Sequence, residues 1–157
     1  MDAIEKKLVE HYGFRLPELG KPGGIFSPGQ KAGDTLWISG QTPMHNGSML
    51  FTGKVGREVT IEDGQKAAQY CLLNILAVIK ANLGGFAEVK KFVQLIGFVQ
   101  SGDDFTQQPQ VINGASQMLL NLFGEDRGLP TRMALGANAL PGNAAVEIMA
   151  VAQLENT

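Results

Sequence analysis

Apolar residues at Ile4, Leu8, Val9 and Tyr12, with lysines and glutamates between them, have helical spacing. They predict an amphipathic helix over Asp2 to Tyr12, capped by Asp2. Residues 13–24 hold two prolines and four glycines, which predicts an irregular crossing. Residues 1–23 thus read as a helix and an irregular extension within one domain spanning 1–157. Gly24 to Ser27 is a weak strand, and Thr35 to Ser39 a stronger one between Gly33-Asp34 and Gly40. Asn46-Gly47 marks a hairpin turn inside Pro43 to Gly56, and Val55 and Val59 close that sheet region. Thr60, with Asp63 three positions on, opens a long helix. Its apolar stripe is Ala67, Ala68, Cys71, Leu72, Ile75, Leu76 and Ile79, and Gly84-Gly85 ends it.

Val89 to Val99 is apolar on both parities, as a strand covered on two sides would be. A second long helix runs from Asp104 or Phe105 to Phe123, with Pro109 in its first turn and Gly124 as its stop. Two strands finish the chain, Thr131 to Ala137 and Ala145 to Leu154, separated by the turn residues 138–143. The order predicts an α+β layer with two long helices on one face of a mixed sheet. Those helices cannot cover the second face. Because several strands are apolar on both parities, another copy of the chain is expected there, making an oligomer.

Composition narrows the function. The 157 residues carry a formal net charge of -2, so no basic field is available for nucleic acid or an anionic membrane surface. No apolar run is long enough to span a membrane. One cysteine, Cys71, excludes an internal disulfide, and a reducing cytoplasmic setting is expected. With two histidines and one cysteine, no structural zinc site is expected. Residues 47–54 miss the phosphate-loop pattern, and no nucleophile elbow occurs. His11 reads as helix surface, His45 as a turn residue and Cys71 as a buried inert thiol.

The polar residues that demand explanation are Arg132 and Glu147, each set among apolar neighbours. They could pair with each other, or cross a subunit boundary as a structural salt bridge. Alternatively, Arg132 is a fork for a ligand carboxylate, with Glu147 holding or deprotonating a water.

Around them the sequence resembles the Rid family of reactive intermediate deaminases, also called YjgF or L-PSP. The resemblance covers about Gly24 to Gln153. It rests on Trp37-Ile38-Ser39-Gly40-Gln41-Thr42-Pro43, Asp104-Phe105, Val111-Ile112-Asn113, Pro130-Thr131-Arg132, Leu140-Pro141 and Val146-Glu147-Ile148. The N-terminal helix and the stretch Asn113 to Ser116 resemble a longer subgroup. The resemblance implies a chorismate-mutase-like fold of the bacterial type, a homotrimer with a central barrel and clefts between subunits. It further implies cofactor-free hydrolysis of 2-imino acids or their enamine tautomers to 2-keto acids and ammonia. Arg132 and Glu147 match the catalytic positions. Arg132, Phe26, Gly40, Asn113 and Ala134 are implied to contact substrate, with no metal. Three positions depart from the family pattern: Phe26 replaces a tyrosine, Ala134 a cysteine or serine, and Met149 a glutamate. The departures at Phe26 and Ala134 favour a second reading, a trimeric module that binds a small carboxylate metabolite without turnover. The family's older endoribonuclease label is disfavoured by the charge.

Overall fold

The computed structural model describes residues 1–156. Three helices and seven strands follow in the order α1 (Ala3–Tyr12), β1 (Gly29–Ala32), β2 (Thr35–Gln41), β3 (Met44–His45), β4 (Ser48–Met49), α2 (Ile61–Leu83), β5 (Val89–Gln100), α3 (Gln108–Gly128), β6 (Thr131–Ala137) and β7 (Val146–Leu154). Five strands form a mixed sheet ordered β1-β2-β7-β5-β6. Only β5 and β6 are parallel; the other neighbours run antiparallel. α3 is the crossover between the parallel pair, as parallel pairing demands.

Both long helices lie on one face. α2 buries Leu72, Ile75, Leu76 and Ile79 completely, the stripe the sequence predicts. Each such side chain contributes about 1.5–3 kcal/mol when taken out of water. Thr60 Oγ1 accepts from Asp63 N at 3.1 Å, and Gly84 closes the helix in the left-handed region with φ +78. α2 and α3 approach closely at Gly114, where any Cβ would meet the Gln65 backbone. α1 adds a third helix to this layer. Its Asp2 caps Glu5 N at 3.0 Å while Glu5 returns a bond to Asp2 N, and Glu5 also meets Lys80 of α2 at 2.6 Å.

Three expectations need correction, and one strand goes unannounced. Residues 24–27 are not a strand: Ile25 there is fully exposed. The edge strand is β1, which the Gly-Gln-Lys-Ala run does not announce because its one half-buried residue, Gly29, packs against Val78 of α2 with no side chain. α3 starts at Gln108, later than Asp104 or Phe105, with Pro109 in its first turn as expected. Gly124 does not stop it but kinks it, at φ +77 and ψ +173, and helix resumes to Gly128. Asn46-Gly47 does form the β3–β4 turn, with φ +50 and +80.

The second sheet face is bare of helix. Trp37, Met133 and Leu135 on it are 51, 48 and 37% exposed. By register, Ile96, Phe98 and Met149 share this face. Among the described residues, no helix is long and apolar enough to cross a membrane.

Candidate functional site

Arg132 stands on β6, a sheet edge, opposite Leu95 of β5, which is wholly in the core. Its side chain therefore leaves toward the helix layer. There its Nη1 donates to Asn113 Oδ1 at 2.6 Å and Ser116 Oγ at 3.1 Å, two residues one turn apart on α3. No carboxylate lies within 4 Å of it among the described residues. Arg132 remains exposed, so the rest of its fork is available to an anion. Ala134 follows on the same face, opposite Gly97. Asn113, implied as a substrate contact, holds the arginine within this chain.

Glu147 stands on β7, between Val146 and Ile148, which are buried beneath the helices. Alternation sends its side chain to the other face, where it lies opposite Phe98. Facing it, β2 carries a bulge between Ile38 and Gln41 that contains Gly40. A Cβ on Gly40 would stand 2.9 Å from Glu147 Oε2, so the carboxyl occupies space that only glycine leaves. Among the described residues Glu147 has no ion pair. Partial burial pushes its carboxyl above the ordinary value. Burial first, and the Glu147 charge second, push the Cys71 thiol up as well; Cys71 donates to the Val146 carbonyl and is a poor nucleophile.

Glu147 opens into a cavity of about 630 Å³. Gly40 and Phe26 share it, with the segment Glu18 to Gly23 and the β3–β4 hairpin. His45 lines it too, its ring 5.1 Å from that of Tyr70. Arg132, Asn113 and Ala134 do not line it.

The six expected site residues thus fall into two groups: Arg132, Asn113 and Ala134 on the helix face of the β6 edge, and Phe26, Gly40 and Glu147 around the cavity, with Glu147 on the opposite sheet face. With β5 between their strands, the Cα atoms of Arg132 and Glu147 are about 14 Å apart by strand geometry. They do not pair with each other within the chain. Ser116 and the cavity walls at 18–23 and 44–49 were not among the expected site residues. Ser116 had a signal, sitting three positions after Asn113, but only Arg132's placement gives it meaning.

Residues 5–154 match a family model described as "YjgF/chorismate_mutase-like, putative endoribonuclease". The chain belongs to the YjgF/Rid family. Protein TCP17 of Trypanosoma cruzi is 37% identical to this chain over 148 residues, covering 94% of it and 92% of TCP17. The crystal structure of Atu1372, a protein with unknown function from Agrobacterium tumefaciens, is 40% identical. It covers 98% of this chain and 94% of its own, with a TM-score of 0.91. RidA from an Antarctic Psychrobacter is similar in fold, at 20% identity and TM-score 0.59 over 88% of this chain and 94% of that one. This Rid-family chain therefore has the chorismate-mutase-like α+β fold, with three helices on a mixed sheet.

Proposed function

We propose that the protein is a cofactor-free hydrolase of 2-imino acids, working in clefts shared between subunits of a homotrimer. The observation that carries this reading is the partition of the site. Arg132 and Glu147 leave opposite faces of one sheet, so one small ligand can meet both only between two chains. The bare apolar face supports assembly, because Trp37, Met133 and Leu135 are surface a partner would remove from water. In the trimer, the three sheets line a central barrel.

In this mechanism Arg132 of one chain holds the substrate carboxylate by its free guanidinium edge. Asn113 and Ser116 keep Nη1 from rotating away. Glu147 of another chain takes a proton from water as the water oxygen bonds to the protonated imine carbon, giving a carbinolamine. The same carboxyl then returns the proton to the nitrogen. The C–N bond breaks with its electron pair leaving on ammonia, and loss of the hydroxyl proton forms the 2-keto acid. A carboxyl whose value is raised by burial suits both directions of transfer. The protonated imine is already electrophilic, so orientation supplies much of the rate.

A second reading, carboxylate binding without turnover, has one observation in its favour. Phe26 shares Glu147's cavity without the hydroxyl of the family's usual tyrosine. The family's endoribonuclease label has little support from a chain of net charge -2. No nucleic acid or membrane partner is proposed, and a cytoplasmic setting is. The deciding experiment generates 2-iminopropionate, adds the protein and follows imine loss against a protein-free control. Loss above background supports the hydrolase. No loss in the parent, with activity appearing in Phe26→Tyr, supports the binding module.

A further inference from the structure

Between Cys71 and Ile79, α2 is buried and apolar at every position but one. The exception is Asn74, half-buried and on the wall of Glu147's cavity. Its Nδ2 donates to the carbonyls of Thr42 and Met44, at 2.9 Å each. Both partners are acceptors, so the amide presents its NH2 to them with both hydrogens engaged. These bonds take hold where the chain leaves the sheet, since β2 ends at Gln41. Gln41 pairs with Ile148, the residue after Glu147, and Gly40 stands against the Glu147 carboxyl. The bulge between Ile38 and Gln41 interrupts the ladder there, so this wall gains from a tie outside the sheet. Among the described residues, Asn74 makes the side-chain hydrogen bonds that join α2 to residues 40–49. The hairpin has a separate hold on the same helix. Tyr70, one turn earlier, has its ring 5.1 Å from that of His45 and 6.2 Å from that of Phe51.

We propose that Asn74 is a positioning residue: by gripping Thr42 and Met44 it fixes the Gly40 segment against Glu147, and with it the place where the carboxyl meets its water. This deepens the proposed function and rests on its assignment of Glu147 as the base. A base must stay within hydrogen-bond reach of the proton it takes, and a misplacement of about 1 Å can cost about 10²-fold in rate. Other groups also face Glu147's surroundings. Glu18, Lys21 and His45 line the cavity, Cys71 bonds to the Val146 carbonyl, and the proposed trimer adds Arg132 of a neighbouring chain. Changing Asn74 leaves all of them in place.

The test compares the full-length parent with Asn74→Leu, which keeps the side chain's bulk without a donor, and Asn74→Gln, which keeps the amide. Carbon-13 NMR follows the Glu147 carboxyl across pH, and loss of 2-iminopropionate gives kcat and KM. In Asn74→Leu the Glu147 titration should relax toward the ordinary carboxylate value. Its kcat should fall about tenfold or more while KM changes less than about twofold, because Arg132 still holds the carboxylate. Asn74→Gln should recover part of both changes. If Asn74→Leu does not fold, Asn74→Ser, with one donor in place of two, is read in the same way. A titration and a kcat equal to the parent's overturn the proposal. So does a variant that melts earlier while its Glu147 titration stays where it was, since Asn74 is then a structural tie alone. Imine loss at background in the parent overturns the hydrolase reading instead, and the Glu147 titration then decides by itself whether Asn74 positions that carboxyl.

Discussion

Glu147 couples the site to stability. Its carboxyl is raised in the folded chain and returns to its ordinary value on unfolding. Between those values the folded state holds the extra proton. The associated stability is complete below the unfolded value and disappears as pH rises through the folded one. Glu147→Gln cannot ionise, so its melting temperature should rise relative to the parent's as pH climbs above the ordinary carboxylate range. Thermal melts at several pH values check this. If Glu147 is the base, the same variant should lose about 10²-fold in turnover while keeping carboxylate binding. Arg132→Ala should weaken binding of small carboxylates by about 10- to 100-fold, the value of a charged hydrogen-bonded contact, with the fold intact by circular dichroism. Arg132 and Glu147 were legible as candidates because charges among apolar neighbours need a reason. Their separation was not: it depends on how β5 registers with β6 and β7, which no local pattern encodes.

At the scale of elements, α2 was readable from end to end, since its stripe, its Thr60 cap and its Gly84 stop all speak locally. α3 was read too long at its start, because Gln107 caps nothing with its side chain and gives no boundary signal. β1 was missed for a related reason: four residues on an exposed edge carry no alternation. The close crossing at Gly114 also escapes local reading. Gly114→Ala should push α2 and α3 apart and cost about 1–3 kcal/mol, measured by denaturant titration. Asp2→Ala removes one half of the capping box on α1 and should cost about 1 kcal/mol. That loss reaches α2 and the start of β5, because Asp2 also accepts from Phe86 N at 3.3 Å and Glu5 holds Lys80.

For the whole molecule, two apolar parities in β5 announced a face that the helices leave uncovered, and the bare face carrying Trp37, Met133 and Leu135 matches that expectation. What covers it is the proposed trimer. Trp37 is the chain's one tryptophan, so assembly has its own reporter. Dilution should shift its emission to the red if subunits separate. Leu135→Glu, which puts a charge beside Phe98 on this face, should yield monomer by light scattering. A parent that is monomeric at micromolar concentration would remove the shared cleft with it.

The opposed directions of Arg132 and Glu147 carry a genetic consequence. A site built from one chain's arginine and another's glutamate lets two inactive alleles rescue each other. Arg132→Ala chains keep the acid, and Glu147→Gln chains keep the guanidinium. In trimers mixed at random in equal parts, about a quarter of clefts would inherit both intact groups. Unfolding and refolding the two inactive proteins together should therefore restore about a quarter of the parent's activity, whereas mixing them without subunit exchange should restore none.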